Sequence, residues 1–161
     1  MEAEPTWLSP EEMRLWRAWV DVSWRVEREV SEQIRRDAGI THNQYAILTA
    51  LSQLPDRSAR MSAISEGTHI PRTRLTHQID RMECAGLIRR RPFAGDSRVV
   101  MVELTDQGAD LLTRTAPGHA RTVRSALLDA LGPDEIRTLT GLLEANTAHS
   151  EPAAQRPDGA T

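Results

Sequence analysis

Residues 60–105 read RMSAISEGTHIPRTRLTHQIDRMECAGLIRRRPFAGDSRVVMVELT. This segment predicts a short helix with a turn that ends at Ile70-Pro71, a second helix over Arg72–Cys84, and a β-hairpin after Gly86-Leu87. Two short helices followed by a basic hairpin are typical of a winged helix-turn-helix, in which one helix enters a groove of DNA and the hairpin, or wing, reaches the next groove. We therefore predict a mainly α fold with a small β-hairpin wing (α+β).

The charge distribution agrees with this prediction. The whole chain has a formal net charge of −3. Residues 60–98 nevertheless carry eight arginines and four carboxylates, so this segment has a net charge of +4 and the rest of the chain has −7. A basic surface on an acidic body is the pattern of a protein that presents one face to phosphate.

The predicted second helix has an apolar face and a polar face. Leu75, Ile79 and Met82 recur at spacings of four and three residues, so we expect them to face the core. The opposite face carries side chains that can bond to base edges and phosphates, namely Thr73, Arg74, Thr76, His77, Gln78 and Arg81. A solvated polar face would explain this helix by itself, but the adjoining turn and arginine-rich strand favour contact with DNA.

The hairpin adds further candidates for DNA contact. Arg89, Arg90 and Arg91 lie on one predicted strand, and its alternation sends Arg90 to the face opposite the other two. At the tip, Arg98 has the reach to enter a narrow minor groove, and Asp96 can hold its guanidinium. We therefore include Arg90, Asp96 and Arg98 among the predicted DNA-binding residues, although an ordinary polar turn would also explain the tip.

Capping patterns predict helices before this segment. The sequence Ser9-Pro10-Glu11-Glu12 supplies an N-cap, a proline at the first helical position and a glutamate at the third, and Gly39 ends the long helix that follows. Two apolar stripes along this helix require two packing partners. Residues 41–44 form a second capping box, and Pro55 ends its helix. Residues 56–60 are predicted to be a surface loop.

Two helices are predicted after the hairpin. Thr105 caps the first, which we expect Pro117-Gly118 to kink or break, and the second begins near Pro133. One face of the last helix is apolar and consists of Ile136, Leu139, Leu142 and Leu143. Because the chain has only six aromatic residues, the apolar faces at its two ends would be partly uncovered in a monomer. We therefore predict a homodimer.

These elements suggest three regions. Residues 8–40 and 105–148 are predicted to form a helical dimerisation region contributed by both chain ends. Residues 41–104 are predicted to form the winged helix-turn-helix lobe that binds DNA. Beyond Asn146 the composition turns to Ala, Pro, Ser, Gln and Gly, and residues 149–161 are predicted to be a disordered tail.

Composition and motifs exclude several classes of protein. A single cysteine, the absence of an apolar run near the ~20 residues of a membrane span, and an acidic N-terminus predict a cytoplasmic protein with no membrane partner. The sequence lacks a glycine-rich phosphate loop, a nucleophile elbow and an H-E-x-x-H pair, so we predict neither an enzyme nor a cofactor. The five histidines lack the spacing of zinc ligands, so no metal is predicted and we expect solvated or capping roles for them.

Several blocks of sequence, taken together, point to a family. Over roughly residues 8–148 the chain resembles the MarR family of bacterial transcriptional regulators, through RMSAI at 60–64, DRME at 80–83 with AGLI at 85–88, and DSR at 96–98 followed by LTDQG at 104–108. The resemblance implies an obligate homodimer whose two winged helices bind a palindromic operator. The chain departs from the family at Pro71, where a Ser or Thr cap is common, and at Gly67 and His69, which weaken the preceding helix.

The resemblance also implies a ligand. It implies repression by promoter occupancy, relieved when a small and often phenolic molecule binds between the dimerisation region and the DNA-binding lobe. A pocket between the first, second and fifth helices would draw on Trp16, Trp19, His42 and Tyr45. These residues are equally suited to a core.

Two alternatives stay open. A redox- or metal-responsive regulator on the same scaffold is one, although Cys84 stands at the end of a helix without a nearby partner cysteine and is more simply a small semi-buried residue. A winged helix used for protein–protein contact is the other. Binding to duplex DNA at two salt concentrations separates this alternative from the first hypothesis.

Overall fold

The computed structural model describes residues 7–93 and 96–150, without the side chains of residues 96–98, 149 and 150. The predicted mainly α fold with a β wing is confirmed. In chain order the elements are α1 (Pro10–Ala38), α2 (His42–Ser52), β1 (Ser58–Arg60), α3 (Met61–Thr68), α4 (Arg72–Cys84), β2 (Ile88–Phe93), β3 (Asp96–Leu104), α5 (Asp106–Val123), a π-helical turn (Arg124–Leu128) and α6 (Pro133–Ser150).

Both predicted capping boxes are present. The Ser9 hydroxyl accepts a hydrogen bond from the Glu12 amide at 3.2 Å, and the Glu12 carboxylate accepts one from the Ser9 amide at 2.7 Å. Thr41 and Gln44 make the same reciprocal pair at the start of α2. Gly39 ends α1 with a φ of 69°, in the left-handed region where glycine carries no Cβ penalty. These caps determine where α1 and α2 begin and where α1 ends.

The sheet has three strands rather than two, so the predicted surface loop at 56–60 is wrong for residues 58–60, which form β1, whereas residues 56 and 57 are an exposed turn. The strands are ordered β1-β3-β2 and all pairs are antiparallel. Ala59 in β1 pairs with Val102 in β3, and both side chains are buried. The sequence Ser-Ala-Arg has little strand propensity of its own. This strand is defined by its pairing with β3 and by the burial of the Ala59 side chain.

A buried core holds helix α4 in place. Leu75, Ile79 and Met82 are each 0% exposed, which confirms the predicted core face. They pack with buried residues of α2, α3 and the sheet, namely Ile47, Leu48, Leu51, Ile64, Ile88, Val102 and Leu104. Burial of side chains of this size stabilises by about 1.5–3 kcal/mol each. Because the inward face of α4 is closely packed, the direction in which its outward face points is fixed.

Helix α5 continues through Pro117-Gly118 and is not broken there. A Cβ on Gly118 would lie 2.7 Å from both the Gln33 amide nitrogen and an Asp37 carboxylate oxygen, so this glycine allows α1 and α5 to cross closely. The irregular segment comes later, as the π-helical turn. There Arg25 donates a hydrogen bond to the Ala126 carbonyl at 3.0 Å.

Apolar side chains remain exposed at both ends of the described chain. Leu15, Trp16 and Trp24 on α1 are 72%, 55% and 77% exposed, and Leu142 on α6 is 65% exposed. Helix α6 extends to Ser150, two residues into the predicted tail, and residues 151–161 lie outside the described part of the chain. Among the described residues, none of the helices combines the length and apolar character that a membrane crossing requires.

Candidate nucleic-acid interface

The outward face of α4 presents most of the residues predicted to contact DNA. Thr73, Arg74, Thr76, His77 and Arg81 are exposed. Gln78 is half-buried, and its side-chain oxygen has no hydrogen-bond partner among the described residues. Among those residues Arg74 and Arg81 form no ion pair, so both cations can face an anionic partner.

The start of α4 offers further donors. Pro71 is the N-cap and has no side chain that could cap the helix. The Arg74 amide donates to the Pro71 carbonyl at 2.9 Å, which leaves the amides of Arg72 and Thr73 for solvent or an anion, and the helix dipole favours an anion there. Arg72 is exposed beside them and was not among the residues predicted to contact DNA. Arg72 is the first residue of the helix, and this position is the sequence signal that could have identified it as a candidate contact to phosphate.

Arg90 does not lie free on the wing. Its two terminal nitrogens donate hydrogen bonds to Asp80 and to Glu83, each at 2.5 Å, and its backbone amide donates to Glu83 at 2.9 Å. Both carboxylates belong to α4. Arg90 therefore ties α4 to β2, and because its guanidinium is occupied in this way we do not place it among direct DNA contacts.

Arg89 and Arg91 lie on the opposite face of the sheet, as alternation predicts. They donate hydrogen bonds to the two carboxylate oxygens of Glu103 on β3, at 2.6 Å and 2.8 Å. The pKa of Glu103 is lowered, and the hydrogen bond from Arg89 is the largest cause. The charges of both arginines and the hydrogen bond from Arg91 lower it further, against an opposing effect of partial desolvation. The run of three arginines is therefore paired within the protein on both faces of the strand.

One cation on this exposed face of the sheet has a different partner. The Arg60 guanidinium lies 5.1 Å from the centre of the Phe93 ring, which is a cation–π contact. Arg60 belongs to β1 and Phe93 to the last position of β2. The contact joins the two outer strands across β3. The sequence carries no local signal for it, because the pair depends on the strand β1 that the pattern did not predict.

Two predicted wing residues lie outside the described side chains. Asp96 and Arg98 are in β3 by their backbone, and the position of neither side chain is described. Cys84 is exposed at the end of α4, so the expectation of a semi-buried residue is wrong. Its side chain leaves the core because α4 ends there, one residue before the turn to β2.

The predicted ligand-pocket residues fall into two separate places. His42 and Tyr45 on α2 line a cleft of about 330 Å³ together with His119 on α5 and Thr68 at the end of α3. Trp16 and Trp19 are both at least half exposed on α1 and do not line this cleft. The grouping of all four in one pocket is therefore not found in this chain. They diverge because the tryptophans occupy the outer stripes of α1, ahead of its contact with α2.

His119 was predicted to have a solvated or capping role, and this is wrong. Its ring lies 4.8 Å from the Tyr45 ring and 6.4 Å from the His42 ring, measured between centroids. Burial lowers the pKa of His119, and the neighbouring His42 lowers it further. Its Nδ1 atom is buried and has no hydrogen-bond partner among the described residues.

Comparisons with known proteins agree on one family. The model of the MarR family matches residues 40–100. Sco3205, a MarR family transcriptional regulator from Streptomyces coelicolor solved in complex with DNA, is 34% identical, with a TM-score of 0.89 over 96% of this chain and 97% of that chain. The chain belongs to the MarR family.

Two further relatives support this assignment. AbsC, a MarR family transcriptional regulator from S. coelicolor, is 32% identical with a TM-score of 0.85, over 90% of this chain and 97% of that chain. The HTH-type transcriptional regulator PecS of Dickeya dadantii is 36% identical over 52% of this chain and about half, 51%, of PecS. This member of the MarR family is thus a transcriptional regulator that binds DNA, and the family is not one of enzymes.

Proposed function

We propose that this MarR family regulator acts as a homodimer that occupies a palindromic operator and represses transcription until a small molecule releases it. The observation that carries the proposal is the outward face of α4, which is polar, exposed and held by a fully buried inner face. Such a helix can enter a major groove without rearranging the core.

For the DNA contacts we propose a division of labour on α4. Arg74, His77 and Gln78 lie toward base edges, while Arg72, Arg81 and the hydroxyls of Thr73 and Thr76 contact phosphate. Asp96 and Arg98 at the wing tip are proposed to contact the minor groove, as the sequence suggests. Arg90 acts indirectly, through the position that it gives to α4.

For the dimer we propose that residues 8–40 and 105–148 pack against the same residues of a second copy. The support is the exposed apolar surface of α1 and α6, which a second copy would cover. The proposed DNA-binding lobe, residues 41–104, has its own buried core, against which Ala109, Leu111 and Leu112 of α5 also pack. Two-fold symmetry would then place two α4 helices about 10 bp apart on an inverted repeat.

Release by a ligand has one supporting observation in this chain. The cleft lined by His42, Tyr45, Thr68 and His119 lies between α2, α3 and α5. It therefore joins the helices of the DNA-binding lobe to a helix of the proposed dimerisation region. A molecule bound there would contact α3, which leads directly into α4.

The test is selection of operators from randomised duplex DNA, followed by footprinting and transcription in vitro. We expect an inverted repeat with half-site centres about 10 bp apart and lower transcription when it overlaps a promoter. Arg74→Ala should relax preference at one base position per half-site at a cost of about 1–3 kcal/mol. Arg36→Ala, an exposed arginine at the end of α1, is the matched control and should leave preference unchanged. Binding of one copy to a single asymmetric site would contradict the proposal.

A further inference from the structure

The cation of Arg60 lies closer to the wing tip than its backbone does. In the sheet, Arg60 of β1 and Arg91 of β2 are both level with Met101 of β3. Phe93 is two residues further along β2 toward the tip, yet the Arg60 guanidinium carbon lies 5.1 Å from the centre of its ring. The Arg60 side chain therefore extends along the sheet toward the tip, and it ends beside the residue that pairs with Asp96.

The backbone of Arg60 is held from two directions. Arg60 ends β1, where the strand pairs with β3, and it is also the N-cap of α3. The preceding residue, Ala59, is buried in the core of the lobe. The exposed side chain of Arg60 thus starts from a rigid position, and the contact with Phe93 restrains its other end.

The partner of Arg60 differs in charge from the partners of the other arginines near the wing. The three arginines at 89–91 are bonded to carboxylates of β3 and α4, which neutralise their charge. Arg60 has the Phe93 ring as its partner and forms no ion pair among the described side chains. The face of an aromatic ring attracts a guanidinium but carries no net charge, and the N–H donors in the guanidinium plane stay free. The ring therefore holds the Arg60 cation without neutralising it.

The proposed position of the wing tip brings DNA phosphates close to this cation. A minor groove that receives the tip is bordered by the phosphates of both strands, and a cation held beside the tip lies at the edge of that groove. The planar guanidinium presents its donors in a fork that matches two oxygens of one phosphate. Such a contact would fix the position of the wing on the duplex without reading sequence.

We propose that Arg60 binds a DNA phosphate at the edge of the minor groove that receives the wing tip, and that Phe93 is the positioning residue that holds its guanidinium there. The inference rests on the wing contact of the proposed function and adds to it a residue outside the hairpin. Arg60 was not among the residues predicted to contact DNA. The proposed interface therefore includes the end of β1 as well as α4 and the wing tip.

The first test is the salt dependence of affinity for an operator selected from randomised DNA, measured by filter binding with the full chain. Arg60→Gln should reduce the slope of log affinity against log salt by about one, and it should lower affinity several-fold at about 0.1 M salt. Arg60→Lys keeps the charge and should retain the slope.

Arg57→Asn is the matched control. Arg57 is an exposed arginine at the end of the sheet away from the tip, where its carbonyl accepts a hydrogen bond from the Leu104 amide and its guanidinium is paired with Asp106 at 3.7 Å. Asparagine tolerates the left-handed φ of 48° at this position. This variant should leave the salt slope unchanged.

The role of Phe93 is tested by a double-mutant cycle. Phe93→Leu removes the ring and keeps every charge, so affinity should fall, and Arg60→Gln should cost less in this background than in the parent. Phe93→Tyr keeps the ring and should behave as the parent does. Urea unfolding checks that each variant is folded. An equal cost of Arg60→Gln in both backgrounds would show that Phe93 does not position the cation.

The second test locates the phosphate by replacing single operator phosphates with neutral methylphosphonates. In each half-site, one replacement beside the minor groove should weaken the parent several-fold and leave Arg60→Gln almost unaffected. If Arg60→Gln retains the salt slope of the parent, or if no replacement distinguishes the two proteins, the inference is wrong and the proposed function stands. A parent that protects no inverted repeat in footprinting would instead refute the proposed function, and the phosphate contact with it.

Discussion

The guanidinium of Arg90 on β2 lies 2.5 Å from the carboxylate of Asp80 on α4. A second carboxylate of α4, Glu83, binds the same guanidinium from one turn further along. The pair joins the helix that we propose to face DNA to the strand that leads into the wing. Together with the buried face of α4, this contact fixes the angle between the two elements.

Arg90→Gln should therefore weaken DNA binding without removing a phosphate contact. We expect affinity to fall several-fold while the slope of log affinity against log salt stays nearly unchanged, because counterion release counts only groups at phosphate. Arg72→Gln is the comparison, and it should reduce that slope by about one. Filter binding at several salt concentrations measures both. A slope that falls equally in the two variants would mean that Arg90 itself contacts phosphate.

Gly108 in the first turn of α5 should not tolerate a side chain. A Cβ there would lie 2.2 Å from the Leu87 carbonyl oxygen and 2.7 Å from a methyl carbon of Leu104, so backbone would have to move. We expect Gly108→Ala to lower the free energy of unfolding by about 1–3 kcal/mol. Gly141→Ala on α6, where a Cβ meets nothing within 4 Å, should instead raise it by up to about 1 kcal/mol. Urea unfolding of both variants tests the contrast.

The helices could be predicted from sequence because their signals are local. The two capping boxes predict the starts of α1 and α2 to within a residue or two, and Gly39 predicts the end of α1. The spacing of Leu75, Ile79 and Met82 predicts α4. Strand β1 could not be predicted, since its stability comes from pairing with β3, more than 40 residues later. Pro117 was expected to disturb α5, but the packing of Gly118 against α1 keeps the helix continuous.

The candidate DNA-binding surface could be predicted only in part, because some of its contacts join residues that are distant in sequence. The exposed face of α4 follows from periodicity alone. The partners of Arg89, Arg90 and Arg91 do not, because each depends on which carboxylate the fold brings alongside. His119 was missed since its neighbours on α2 are distant in sequence. The predicted ligand pocket combined Trp16 and Trp19 with His42 and Tyr45. The two tryptophans instead lie exposed on α1, away from the cleft that the two α2 residues line.

The exposed apolar face of α6 should be required for assembly. Leu142 is 65% exposed, and we propose that a second copy covers it. Leu142→Glu would place a charge in that interface, and sedimentation should then show monomers at concentrations where the parent is a dimer. Thr140→Glu, at an exposed polar position of the same helix, is the control and should remain a dimer. A parent protein that sediments as a well-folded monomer would refute the proposed assembly.

Glu103 should make stability depend on acid pH. Its folded-state pKa is lowered mainly by the hydrogen bond from Arg89, with Arg91 adding to the effect. A lowered pKa means that the contribution is fully present above the ordinary value of 4.5 and is lost as the pH falls through the folded value. Glu103→Gln should therefore destabilise the fold at neutral pH by roughly 1 kcal/mol, since the arginines are largely exposed. The difference between variant and parent should shrink toward zero in strong acid.

The control for this prediction is Glu66→Gln, an exposed carboxylate on α3 with no ion pair among the described residues. Its stability should follow that of the parent across the whole acid range. Urea midpoints measured at several pH values give the comparison directly. A constant difference between Glu103→Gln and the parent at every pH would show that the amide disturbs packing in β3. The ion pairs with Arg89 and Arg91 would then contribute nothing measurable to the stability of the wing.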